Sequence, residues 1–214
     1  MTTIQDITRL AQRGEGLHVE FKKKAAHPEK IVKEIIAMAN TDGGHLLLGV
    51  DDDGTVSGQR HIEEEVYAMD KAIKELIHPP IKLNCTVKAL NQKKGVAIYK
   101  IEKSTSAPHY LREGKKKKSY VRVADRSIQA SREMWEIMKR KNNSNNVIFK
   151  YGKKEELLMK ALANQPYITL KEFMNMARIP VYIASKTLVK LVIANVLEVI
   201  PQESGDRFKT KAHL

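Results

Sequence analysis

Apolar positions recur at helical spacing at Ile4, Ile7 and Leu10, predicting a short helix over residues 4–13 that Gly14 and Gly16 end. From 17 to 22 the period changes to two. Leu17, Val19 and Phe21 fall on one face of a predicted strand, and His18, Glu20 and Lys22 on the other. Pro28 can open a helix, and Ile31, Ile35, Met38 and Ala39 carry its stripe through to Asn40. Thr41-Asp42-Gly43-Gly44 stops it. Residues 45–50 then form an apolar run that suits a strand buried on both faces. Asp53-Gly54 reads as a tight turn, and a helix over 62–77 ends before Pro79-Pro80. Residues 81–90 and 96–102 read as a hairpin, 120–123 as a further strand, and 132–141 as a helix carrying Trp135.

The polar stretch Asn142-Asn143-Ser144-Asn145-Asn146 is the clearest linker, which predicts a first domain over 1–141, a linker over 142–152 and a second domain over 153–214. The second part has helices over 153–163, 169–177 and 180–194. Leu157, Leu158 and Leu162 are assigned inward on the first, and Thr169 caps the second with Glu172 three residues on. Two strands, 196–200 and 207–211, follow around Glu203-Ser204-Gly205-Asp206. Three helices and a hairpin in this order predict a winged helix-turn-helix. The expected fold class is α+β: a mixed-sheet domain with helices, followed by that small domain.

Charge adds a partner class. The 214 residues hold 38 Lys and Arg against 25 acidic residues, a net +13, which attracts polyanions such as DNA or RNA. The lone Cys85 leaves no disulfide and no cysteine cluster for zinc. No apolar run approaches the length of a membrane span, and the first residues lack a signal layout, so a cytoplasmic location without membrane contact is expected.

Three ordered pieces carry a family likeness: Gly14-Glu15-Gly16-Leu17-His18-Val19-Glu20-Phe21-Lys22, then Ala39-Asn40-Thr41-Asp42-Gly43-Gly44, then Gly49-Val50-Asp51-Asp52. With Pro108 to Tyr110 and Tyr120-Val121-Arg122-Val123 further on, the chain resembles the Schlafen/AlbA-like domain family over roughly residues 10–141. Members of that family are commonly labelled DNA-binding domains. In Schlafen proteins with nuclease activity, the resemblance assigns metal-dependent cleavage to positions matched here by Glu15, Glu20, Lys22 and Asp51. Three carboxylates converging at one place suit magnesium or manganese, and a lysine beside them can neutralise a phosphate oxygen. The alternative reading is structural: a Glu20–Lys22 ion pair on a sheet face, a turn at Asp51, and Asn40 and Asp42 capping a helix end.

Two other motifs fail. Gly44 to Gly49 has the glycine spacing of a phosphate loop, but Val50-Asp51 stands where Lys-Ser/Thr is required, so ATP hydrolysis is not supported. The Asp51-Asp52-Asp53-Gly54 run lacks the gaps and distal Glu of a calcium loop. His45 after the Gly-Gly turn and His109 after Pro108 read as surface polar residues, with lining of the site as the alternative.

Basic residues give the preferred interface. Arg112, Lys115, Lys116, Lys117, Lys118, Arg122, Arg126 and Arg132 crowd one segment, with the lysines expected at a hairpin tip and Tyr110 and Tyr120 beside them to stack on bases; the alternative is a solvated loop whose lysines deter edge-to-edge strand pairing. In the second domain Tyr182, Ser185, Lys186 and Lys190 lie on the polar side of the third helix, and Arg207, Lys209 and Lys211 on the wing; the alternative for this domain is a protein–protein or dimerisation role. The expectation is a nucleic-acid-binding protein, DNA before RNA, in the role of a transcriptional regulator. It needs no cofactor to bind, and a homodimer is compatible with both domain types. The alternative is a magnesium- or manganese-dependent nuclease.

Overall fold

The computed structural model describes residues 3–141 and 151–211. It divides into two compact units, Met1–Gln129 and Ala130–Leu214. The fold is mixed α+β, as the periodicities require.

In the first unit the elements run α1 (Ile4–Gln12), β1 (Val19–Lys22), α2 (Pro28–Asn40), β2 (Gly44–Leu48), α3 (Ile62–Leu76), β3 (Ile77–His78), β4 (Leu83–Ala89), β5 (Gly95–Ile101), β6 (Tyr110–Glu113), β7 (Lys116–Val123) and β8 (Arg126–Gln129). They build two four-stranded sheets, ordered β1-β2-β5-β4 and β3-β6-β7-β8. β1 pairs with β2 in parallel, and the other pairings are antiparallel.

α2 lies at the centre of this unit. It packs on β2 and β5 of one sheet and on β7 and β8 of the other. Nine of its thirteen residues are buried, including Glu34 and Asn40, so it has no solvent face of the usual amphipathic width. Its apolar residues join Leu46, Leu48, Ala97 and Tyr99 in the main core, with α3 closing over them. The other face of the first sheet carries a smaller core, where Ile7 and Ala11 of α1 meet Phe21, Leu47, Val96 and Ile98. Thr3 caps α1 in a reciprocal box with Asp6.

The second unit holds α4 (Arg132–Lys141), α5 (Lys153–Asn164), β9 (Ile168–Thr169), α6 (Leu170–Ala177), α7 (Val181–Ile193), β10 (Leu197–Ile200) and β11 (Arg207–Thr210). Its sheet has the order β10-β11-β9. Phe173, Leu188, Leu191 and Phe208 fill its core. Thr169 and Glu172 cap α6 reciprocally, as the spacing predicts. Leu157, assigned inward from the sequence, is 44% exposed, while Leu158 and Leu162 point to the core. α4 packs on α7 and contributes Ile137 to this core, so the units divide ahead of α4 and not after it. Most of the expected linker, residues 142–150, lies outside the described residues.

The strands β3, β6 and β8 escape a reading by hydrophobic period because β3 has two residues and β6 and β8 each bury a single apolar side chain. Pairing with β6 also draws Lys116, Lys117 and Lys118 into β7, leaving Gly114 and Lys115 as the turn. The four lysines therefore do not sit together at a tip. Cross-strand pairing has overridden their weak strand propensity. Among the described residues no helix is long and apolar enough to cross a membrane.

Gly43 shows how tightly α2 is joined to the first sheet. Its φ is +76°, its N–H donates to Met38 O at 2.8 Å, and a Cβ there would lie 2.7 Å from Ile101 O. Gly43→Ala is expected to cost more than about 1 kcal/mol, from left-handed backbone strain and the clash together. Urea unfolding of the two proteins measures it.

Candidate nucleic-acid interface

Glu20 sits on β1 with its side chain turned away from Phe21, as alternation demands, and is 6% exposed. A carboxylate so placed needs internal partners. It has Lys22, two residues along the same strand, and the guanidinium of Arg122 at 2.6 Å. Arg122 reaches from β7 with no exposed side-chain surface. Its Nη1 donates to Glu34 of α2 at 2.8 Å, and its Nη2 and Nε donate to the Gly16 carbonyl at 2.9 and 3.1 Å. Ser127 of β8 adds a hydrogen bond to Glu34. One arginine thus ties β1, α2 and β7 through charge-assisted bonds in a dry setting.

A second polar hub lies nearly two turns further along α2. Asn40 Nδ2 donates to His109 O at 3.0 Å, Ser119 Oγ at 3.0 Å and Tyr120 O at 2.9 Å, and Asn40 Oδ1 accepts from His109 N–H at 2.8 Å. Thr41 Oγ1 accepts from the Arg122 N–H at 2.9 Å. His109 is 1% exposed, with Nδ1 2.7 Å from Pro79 O and Nε2 2.6 Å from Ser104 Oγ. Burial holds its imidazole below the ordinary histidine value, against the opposing pull of the Pro79 carbonyl. It is a core residue, not the surface group expected from its sequence context.

These networks decide the carboxylate set. Glu15 Oε1 accepts from the Phe21 N–H at 2.8 Å, fixing the entry to β1. Asp51 pairs with Lys23 at 2.9 Å, and that lysine holds its carboxyl below the usual range. Glu20 is committed to Arg122 and Lys22. Each carboxylate has its own partner, and among the described residues no group of three His, Cys, Asp or Glu side chains is placed to share a cation. Glu15, Glu20 and Asp51 do not fit magnesium or manganese. Lys22 is likewise spent on Glu20 and on the Phe21 carbonyl, at 2.7 Å.

The basic residues separate into buried and exposed sets. Arg122, expected on the surface, is the internal counter-ion just described. Tyr120 packs against the main core and is half-buried, so its ring is not an open stacking platform. Lys118 pairs with Glu113 at 2.6 Å. Arg112, Lys115, Lys116, Lys117 and Arg126 are exposed, and among the described residues none has a carboxylate within ion-pairing distance. Register puts Arg112 opposite Lys117 and His78 opposite Tyr110, so these four share one face of the second sheet. The Lys117 ammonium stands 4.8 Å over the Tyr110 ring. Of the two expected stacking residues, Tyr110 belongs to this patch, with His78 beside it, and Tyr120 does not.

In the second unit Lys186 is exposed on α7 and Lys190 is half-buried. Arg207 stacks at 4.2 Å on Tyr167, and Lys209 pairs with Glu198 at 2.5 Å. Ser185 is turned to Glu133 of α4. Val181 and Tyr182 are the exposed apolar groups at the start of α7, 54% and 62% accessible.

The sequence reading missed Glu34 as Arg122's partner. The signal was present: Glu34 falls at helical spacing from Ile31 and Met38, inside the apolar surface of α2, where a charge implies a buried partner.

A family model described as Schlafen, AlbA_2 matches residues 15–131. No curated protein matches the chain. Among solved structures, the N-terminal domain of a RecG-related protein from Nitrosomonas europaea is 19% identical, with a TM-score of 0.45, over 57% of this chain and 88% of that one. The DIP2311 protein of Corynebacterium diphtheriae is 19% identical, with a TM-score of 0.48, over 75% of this chain and 36% of that one.

Removing the guanidinium strands two buried carboxylates. Arg122→Met is expected to destabilise the first unit by about 3–5 kcal/mol, and Arg122→Lys to restore little of it, because an ammonium lacks the planar fork. Urea unfolding of both variants checks this. His109 gives a pH signature. Its native value lies below the ordinary one, so its contribution is complete above about pH 6.5 and is lost as pH falls from there toward the native value. His109→Gln should flatten the decline of the melting temperature on that acid side.

Proposed function

Because the chain belongs to the Schlafen, AlbA_2 family, a nucleic-acid-related one, we propose that it binds DNA through its backbone phosphates and acts as a regulator, without cutting what it holds. The observation that carries this reading is the β6–β7 hairpin. Arg112, Lys115, Lys116 and Lys117 lie exposed there without acidic partners among the described residues, beside Tyr110 and His78. Exposed unpaired cations neutralise phosphates and release counterions, a sequence-independent attraction. Neighbouring aromatic rings give bases a surface to stack on.

The second unit supports DNA over RNA. We read it as a winged helix-turn-helix, from the order α5, α6, α7 and the β10–β11 hairpin. In that reading the start of α7 carries Tyr182 and Lys186 toward a groove, and the wing contributes Arg207. The nuclease alternative has no observation in its favour, because the carboxylates it requires are separately engaged.

Four phosphate contacts from the hairpin imply a slope of log affinity on log salt of about −3.6 on duplex DNA, near −0.9 per contact. Changing Arg112, Lys115 and Lys117 together to Gln should reduce that slope by about 2.7 and leave the urea midpoint unchanged. Fluorescence anisotropy with a labelled duplex, and with RNA and single-stranded DNA as comparison arms, measures it. Affinity indifferent to both salt and the triple change overturns the proposal.

A further inference from the structure

β4 is the longest edge strand among the described residues. It pairs with β5 alone and runs seven residues, whereas the other sheet edges, β1, β3, β8, β9 and β10, have four or fewer. Its register with β5 is continuous from Leu83 to Ala89, so no bulge twists the edge away, and no proline interrupts it. Lys88 is the only charged residue on the strand. No residue of β4 is fully buried, and Val87 is 36% accessible. Gly95 of β5 exchanges both backbone hydrogen bonds with Gln59, on the side away from β4. Antiparallel alternation then aims the backbone groups of Asn84, Thr86 and Lys88 at β5, and those of Leu83, Cys85, Val87 and Ala89 outward. Unpaired backbone donors and acceptors therefore line the whole strand, with few of the devices that keep such an edge single.

Charge and symmetry set what fits this edge. A net +13 holds two copies of the chain apart over most of their surface. The helix that flanks β4 is different. Asp70 of α3 accepts from Tyr99 Oη at 3.0 Å, and Tyr99 lies opposite Cys85 in the sheet. α3 holds Glu63, Glu64, Glu65, Asp70 and Glu75 against only Lys71 and Lys74, so it is net negative on a positive chain. Tyr67, 72% accessible, shares an open groove along α3 with Asp70, Lys71, Lys74 and Glu75, where acids and cations stand side by side. Two copies therefore meet here with reduced repulsion. Antiparallel pairing of β4 with itself, about a two-fold axis at Thr86, overlaps the whole strand. Leu83 then faces Ala89 of the second copy and Cys85 faces Val87 of the second copy, both as hydrogen-bonded pairs, while Lys88 faces an asparagine, Asn84 of the second copy. Moving the axis to Cys85 would set Lys82 against Lys88, so charge disfavours that slip.

We propose that β4 is a self-association edge: two copies of this chain join their first sheets by antiparallel β4–β4 pairing about Thr86. Each outward residue of the strand finds a donor and an acceptor on the second copy, and Val87 loses its exposure beside Cys85 of the second copy. The β6–β7 hairpin belongs to the other sheet and takes no part. The inference stands independently of the proposed function.

Sedimentation velocity of the full chain, freed of nucleic acid, reads the assembly from micromolar to millimolar concentrations. A dimer that forms as concentration rises is expected. Val87→Pro is the decisive variant, because the Val87 N–H points outward and its loss leaves the β4–β5 ladder intact. Val87→Lys is the second, placing a charge on the edge without touching the backbone. Both should run as monomers, and unchanged melting temperatures show that they fold. The register has its own readout. In a Cys85→Ser background, Thr86→Cys sets one thiol of each copy face to face across the axis, so air oxidation should give a disulfide-linked dimer. Asn84→Cys in the same background should not cross-link. A monomer at every concentration, a dimer that survives both Val87 variants, or cross-linking at Asn84→Cys equal to that at Thr86→Cys overturns the proposal. So does a dimer that appears only when nucleic acid is left in the sample.

Discussion

A helix buried on nearly every side cannot carry an unpaired charge, and α2 carries Glu34. Desolvating a lone carboxylate costs far more than a domain's margin of stability, so the fold must deliver a cation to it. Arg122 is that cation, and the same guanidinium also satisfies Glu20 and the Gly16 carbonyl. Because β1, α2 and β7 each contribute a partner, the two sheets cannot shift against α2 without exposing a charge. Apolar packing around α2 is non-directional. The arginine fork and the Asn40 hub supply the directional part, and so fix how the sheets sit against the helix.

The motif residues take on a physical meaning in this light. Glu20, Asn40, Thr41 and Arg122 come from three places in the sequence and meet along one side of α2. Their ordered appearance in the chain reports a shared internal network. A carboxylate and an arginine spent inside the molecule cannot also hold a metal ion or a phosphate. The net charge of +13 therefore overstates the basic surface in one respect and understates it in another. Arg122, Lys22 and Lys118 are paired, while Arg112, Lys115, Lys116 and Lys117 remain to meet an anion.

Much of the fold was legible because long elements carry their period openly. α1, α2, α3, β5 and the helices of the second unit lie within a residue or two of where hydrophobic spacing put them. The strands β3, β6 and β8 were not legible, since β3 has two residues and β6 and β8 each bury a single apolar side chain, too few to show alternation. The lysine-rich start of β7 reads as loop until β6 is beside it. The assignment of α4 to the second unit also needed the structure: Ile137 and Glu133 find their partners on α7 and in its core, and nothing local to 132–141 says so. Of the candidate site, the exposed cations could be read from composition. The engaged ones could not, because burial of Arg122 depends on Glu34, 88 residues away.

The central claim is that the carboxylates of the Glu15 to Asp51 region hold the fold together and do not gather a metal. Calorimetric titration of manganese into the intact protein tests it most directly, with Glu20→Gln titrated alongside. The account predicts no saturable binding in either protein. A single saturable site in the unaltered chain that disappears in Glu20→Gln, with folding preserved, would contradict it.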